Sequence, residues 1–390
     1  MELLFDLTFV VSFAQASDAG AHLLAQNEVL DAVAAFVFTS VAICWAWINF
    51  SWFASGFDTD DWLFRLTTMV QMAGVIVLAL GVQPVFDSIH RGDAVDVRVL
   101  VAGYVVVRFA MLAQWIRVAA QDAAHRPAAL VYAATITIAQ IGWLALAAAR
   151  PGDVAFVAAV AGLYAIEMGG PVIAKRSGGG TPWHAHHIAE RYGLMLIIAL
   201  GEGIVATIAA VNAAVQGVGW TSEAVLLVVA GTGLTLALWW DYFIVPFGTF
   251  LTHHRRRTWG YGYGHILIFT SIVAVGMSLH LAAYVVEGQA TIGVPGAVLA
   301  VAIPMFVFSV SYFGVYSLLV RAFDRLHGLL LAGHTLLLVV AVVLAWADVP
   351  LGWCLIVVTG SPFVTVIGYE TVGHRHVAAD VERDIQVSTA

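Results

Sequence analysis

Glu202 is the residue most able to do chemistry in an unexpected place. It stands in Leu200-Gly201-Glu202-Gly203-Ile204, fourteen residues into an apolar run that begins near Ile188, or about 21 Å along a helix. An ionisable side chain at that depth of a bilayer costs roughly 2.5–3.5 kcal/mol on insertion scales, so it is retained for a reason. A carboxylate there can gain and lose a proton or bind a cation. The glycines on either side let a helix or a solute approach closely. The plainer reading is a structural ion pair with Arg108. Arg108 lies mid-way along Tyr104-Val105-Val106-Val107-Arg108-Phe109 with no acid nearby, and Glu202 and Glu167 are the acids at comparable depth. A mid-membrane Arg can alternatively grip an anion with its planar fork.

A second group gathers before this helix. His184, His187 and Glu190 recur at intervals of three, a drift of about 60° per step that can place all three on one helical face. Such ligands can hold a transition metal, or form a pH-sensitive entry for protons. His187 with Arg191, or His186 with Glu190, can instead simply pair one turn apart. We expect no bound metal or cofactor. Glu2 and Asp6 share a face near the start of the first helix, where Glu2 also suits the helix dipole. Asp58, Asp60 and Asp61 precede Arg65 and lack the glycine and terminal glutamate of a calcium loop, so they read as a latch ion-paired with Arg65. Asp241 follows Trp239-Trp240. His265 and His280 bracket one helix and His334 lies inside another; each alone reads as a packing residue.

These residues must be positioned by membrane helices. Of the 390 residues 61% are hydrophobic and 11% charged, against about 45–50% and 25% in soluble domains. Apolar runs predict twelve helices, near 2–26, 29–55, 63–83, 97–118, 129–149, 154–174, 188–214, 223–247, 260–286, 294–320, 328–347 and 351–370. Runs as long as Leu329 to Ala347 exclude a strand barrel. The fold class expected is an all-α polytopic membrane protein. Little chain is left over for a soluble catalytic domain. The net charge of −8 and the absence of a basic, aromatic-interleaved stripe argue against nucleic acid. The only cysteines, Cys44 and Cys354, lie in apolar runs and read as packing residues. Glu2 and Asp6 stand where a signal peptide would be basic, so none is expected.

Basic residues orient the helices. Arg65, Arg117, Arg126, Lys175, Arg176, Arg255, Arg256, Arg257, Arg321, Arg325, Arg375 and Arg383 fall at even-numbered connections or in the tail. Arg91, Arg98 and Arg150 fall at odd ones. Twelve against three places both termini in the cytoplasm under the positive-inside rule. The helices divide into a half over 1–174, a loop over 175–187, a half over 188–370 and a disordered cytoplasmic tail over 371–390. Trp45-Ala46-Trp47 and Trp239-Trp240 end the second and eighth helices, which suggests two parallel six-helix repeats. Tryptophan also gathers at membrane interfaces without any repeat.

Three stretches carry a family resemblance: Glu2-Leu3-Leu4-Phe5-Asp6-Leu7-Thr8-Phe9-Val10; Trp45-Ala46-Trp47-Ile48-Asn49 with Phe57-Asp58-Thr59-Asp60-Asp61, Arg65-Leu66 and Gln71-Met72; and Trp183-His184 with His187-Ile188-Ala189-Glu190-Arg191-Tyr192-Gly193-Leu194 and Ile197-Ile198-Ala199-Leu200-Gly201-Glu202. Together they resemble the bacterial low temperature requirement A (LtrA) family of integral membrane proteins. The resemblance implies the membrane class and no agreed biochemical activity.

Two functions compete. A transporter or channel for an ion or small solute would use Glu202 as the coupling site and Arg108 as counter-charge, with Glu190, Arg191, His187 and Asp6 along the proton route. Glu2, His184, Asp241 and His265 are secondary candidates. A membrane enzyme would act on a lipid or isoprenoid head group with His184, His187, Glu190 and Arg191. It lacks a nucleophile motif, a Walker loop or a paired Asp-rich site. Membrane lipids are the expected partners.

Overall fold

The computed structural model describes residues 1–320 and 325–378, and among these every element is helical. Twelve helices have eighteen residues or more: α1 (Glu2–Ala25), α2 (Val29–Phe57), α3 (Trp62–Leu80), α5 (Arg98–Gln121), α6 (Arg126–Ala149), α7 (Asp153–Gly178), α8 (Ala185–Val218), α9 (Ser222–Phe243), α11 (Thr258–Val286), α12 (Val294–Val320), α13 (Arg325–Trp346) and α14 (Leu351–Gly368). Two short ones complete the set, α4 (Val82–His90) and α10 (Phe247–His253). Among the described residues eleven spans are long and apolar enough to cross a membrane. The exception is α1, whose Asp6, Gln15 and Asp18 dilute its hydropathy. The chain is therefore a multi-pass α-helical membrane protein. Arg321 and Arg383, used above for orientation, lie outside the described residues.

Two of the expected helices stop early. The third ends at Leu80 and restarts after Gly81 as α4. The eighth ends at Phe243, because Pro246 cannot donate to a continuing helix, and α10 follows. Past Glu370 the chain stays helical, through a π-helical turn over Tyr369–Gly373 and on to residue 378. The remaining residues of the expected tail lie outside the described part.

The chain forms two compact units. The first comprises Met1–Ala16 and Val33–His184; the second comprises Ser17–Ala32 and the chain from Ala185 onward. In the first, α3 and α5 run antiparallel at backbone contact. A side chain on Gly103 would collide with the Leu78 backbone, and one on Gly74 would meet Val107 at 2.8 Å. Glycines at both positions let two membrane helices pack on their main chains. In the second, α8 and α11 run parallel: Tyr192 packs edge-on to His265 at 4.9 Å, and further along Glu202 fits over Gly276. Helix α9 lies antiparallel to α8, with Thr207 against Gly231 and Gly203 against Thr235. At the far end of α9, Glu223 accepts the Gly352 N–H at the start of α14 at 2.6 Å. The α1–α2 connection belongs to this unit, where Thr291 donates its backbone N–H to the Ala25 carbonyl at 2.7 Å.

Candidate functional site

Two buried carboxylates organise the two units, each in a different way. In the first unit Glu167 on α7 receives five hydrogen bonds. Trp45 Nε1, the Tyr104 hydroxyl and Arg108 Nη2 each donate to Oε2 at 2.7 Å. Gln140 Nε2 and Trp143 Nε1 donate to Oε1 at 3.0 and 3.1 Å. The side chains of Arg108 and Glu167 are 2% and 0% exposed. Three helices besides α7, namely α2, α5 and α6, therefore converge on one anion, and every donor comes from a residue type that carries a hydrogen on an apolar or delocalised frame. A buried pair is stable only when its remaining hydrogen-bonding capacity is met, and here the carboxylate's is met in full.

This corrects the pairing expected between Arg108 and Glu202: Arg108 belongs to Glu167. It also corrects the interfacial reading of Trp45 and Trp47. Both are fully buried, and Trp47 Nε1 donates to Asp6 Oδ1 at 2.7 Å. Trp239 and Trp240, by contrast, are 46% and 45% exposed, as interfacial tryptophans should be.

In the second unit Glu202 lies seventeen residues beyond the start of α8, about 26 Å along it at 1.5 Å per residue. Its Oε1 sits 2.9 Å from His280 Nε2 on α11, with side chains 4% and 15% exposed. Gly276, one turn before His280, faces the Glu202 side chain so closely that a methyl group there would stand 2.7 Å from its Cγ. Thr235 of α9 packs against neighbouring Gly203. Among the described residues Glu202 thus has a single titratable partner where Glu167 has five donors. Carboxylate and imidazole together can take up, share or release one proton without moving a backbone.

The remaining candidates are scattered. His184 precedes α8, and its backbone N–H donates to Ser55 Oγ at 3.0 Å, so it does not continue a helical stripe with His187 and Glu190. Glu190 is exposed while adjacent Arg191 is buried, and His187 is half-buried. Among the described residues no three His, Cys, Asp or Glu side chains are placed to hold a metal ion. Asp6 is buried and Glu2 half-buried. Asp241 is buried at the end of α9, where its backbone carbonyl accepts the Tyr312 hydroxyl at 2.6 Å. His265 is locked in one tautomer: Nδ1 donates to the Tyr261 carbonyl at 2.8 Å and Nε2 accepts from the Tyr242 hydroxyl at 2.9 Å. Tyr192, Phe247 and Phe269 enclose its ring, so it packs an aromatic core. His334 lies against Ser309.

The acidic loop is ion-paired with Arg65, as expected, and also with a second arginine. Asp60 pairs with Arg65 at 2.7 Å. Asp61 pairs with Arg117 of α5 and also accepts the Phe64 N–H as N-cap of α3. The Arg117 guanidinium, and then the cap, hold the Asp61 carboxyl well below the usual range. Burial, with a contribution from Glu2, pushes Asp58 up.

Sequence reasoning missed His280 as a partner and the roles of Tyr104, Gln140 and Trp143. Their available signal was a polar hydrogen inside an apolar run. No curated protein and no solved structure matches the chain. The profile described as bacterial low temperature requirement A protein (LtrA) matches residues 1–361, which takes in both carboxylate clusters and nearly all of the membrane helices. The chain belongs to the LtrA family.

Proposed function

We propose that this protein moves an ion or small solute across the bacterial inner membrane, coupled to protons at the Glu202–His280 pair. The observation that carries the reading is that pair: a carboxylate and an imidazole 2.9 Å apart, nearly enclosed, and held on two parallel membrane helices. Buried ionisable groups inside membrane helices mark ion and proton paths more often than packing alone would require. Gly276 supports the same reading, since a residue with no side chain at that point leaves Glu202 against bare helix backbone. The groups facing the carboxylate are His280 and Gly276 from α11, with Thr235 of α9 beside Gly203. The twelve-to-three bias of basic residues supports cytoplasmic termini.

Arg108 drops out of the coupling machinery in this account and becomes the anchor of the first unit. The head-group enzyme is the weaker reading, because His184 lies outside α8 and Glu190 and Arg191 differ in burial. The test is solute-dependent acidification of the lumen of sealed proteoliposomes, comparing wild type with His280→Gln. The account expects the variant to insert normally and to lose coupled proton movement. Full coupling in the variant would overturn it.

A further inference from the structure

Arg108 uses one of its three nitrogens. Nη2 donates to Glu167, while Nε and Nη1 are buried with no partner among the described residues. Three of the five N–H groups of a guanidinium reside on those two atoms. Gln140 has the complementary gap. Its Nε2 donates to the same carboxylate, and its Oε1 is buried with no partner among the described residues. Turning the amide over would not help, since it would set oxygen against carboxylate oxygen.

Both side chains end on Glu167, so the open donors of Arg108 and the open acceptor of Gln140 flank one carboxylate inside the first unit. Arg108 is 2% and Gln140 8% exposed. Whatever satisfies both must accept from the guanidinium and donate to the amide oxygen. It must also be neutral, because Arg108 and Glu167 already cancel and a further charge beside them would be unpaired. Buried polar groups in proteins are met by protein or by ordered water.

We infer that the first unit contains a binding site for a neutral, hydrogen-bonding molecule of water's size, bridging Arg108 and Gln140 beside Glu167. This site is independent of the Glu202–His280 pair and of any coupling there. It makes the middle of a four-helix cluster wet although its aromatic lining is closed to the surface. Tyr104, Trp45 and Trp143 donate to the carboxylate at its edge.

Radiolytic hydroxyl labelling of the whole protein in detergent tests this, because radicals made from a bound water modify the side chains beside it. Trp115 is the internal control: a tryptophan of the same unit, 4% exposed and stacked on Tyr132. The inference expects Trp45 and Trp143 to be labelled severalfold faster than Trp115, and Gln140→Leu to erase the excess. Equal labelling of the three tryptophans in wild type would overturn it, and that comparison does not depend on the variant folding. An excess that survives Gln140→Leu would overturn it as well, because the molecule would then not be held by that amide.

Discussion

Replacing Glu167 by glutamine conserves shape and removes the charge that five donors converge on. Two effects then oppose each other. Losing an intramembrane carboxylate eases insertion of α7 by up to about 3 kcal/mol on translocon scales. In the folded protein, however, Arg108 is left charged and 2% exposed with no counter-charge, and breaking a buried pair from one side costs roughly 3–5 kcal/mol. Unfolding of protein that is already inserted sees only the second effect. We therefore expect Glu167→Gln to lose about 3–5 kcal/mol in reversible denaturation of the detergent-solubilised protein. Tyr104→Phe removes one donor of five, at 2.7 Å, and should lose about 1 kcal/mol, near the average for hydrogen bonds between membrane helices. Tryptophan emission is a direct readout, since Trp45 and Trp143 both donate to Glu167. The decisive variant is Arg108→Met combined with Glu167→Gln. It carries no orphaned charge and should recover about 2 kcal/mol relative to Glu167→Gln alone, a coupling typical of groups in direct contact. A double variant no more stable than Glu167→Gln would refute the reasoning, because the orphaned cation would not be the source of the loss.

Three further outcomes follow from the geometry. Gly103→Val should strongly reduce the yield of folded protein, because its first carbon collides with the Leu78 backbone and overpacking costs about 1–3 kcal/mol even where side chains can yield; size-exclusion profiles of detergent extracts check this. Asp61→Asn should be milder than Asp61→Ala in a thermal melt, since Asn keeps the cap on the Phe64 N–H and loses only the ion pair with Arg117; equal losses would mean that the cap contributes nothing. Two connections of the first unit should also show opposite acid responses, α4–α5 through Asp96 and α2–α3 through Asp58. Asp96, held at about 2 by Arg98, supports the fold above the ordinary aspartate range and loses that support only as pH falls towards 2. Asp58 is raised by burial and by Glu2, so it favours the fold when protonated and opposes it when ionised. Asp58→Asn should therefore raise thermal stability at pH 7, with the gain shrinking as acid protonates the wild-type residue. A gain that does not depend on pH would contradict the assignment.

The helices were legible in the sequence because the bilayer imposes one simple demand, a long apolar run with its backbone hydrogen bonds closed internally. Where the chain departs from that demand, the sequence was less informative. Gly81 and Pro246 each break a run whose hydropathy continues through the break. The charged residues were legible one at a time, since each is conspicuous against apolar neighbours. Their partners were not. Arg108 had two acids at equal depth to choose from, and the choice rests on which helices touch. Trp45 looks interfacial in sequence, yet its indole N–H makes it a donor to a buried anion. His280 stands 78 positions from Glu202, and nothing local links them. His184 was misplaced for a different reason: a three-residue spacing implies a shared face only if every member lies within the helix, and α8 starts one residue later.

Proton flux into dye-loaded proteoliposomes after a pH jump, for wild type and Glu202→Gln with and without an imposed potential, tests whether Glu202 carries protons. The account predicts flux in wild type and its loss in a Glu202→Gln protein that inserts and folds normally. Equal flux from both proteins, or none from a folded and correctly oriented wild type, would contradict a proton pathway through Glu202.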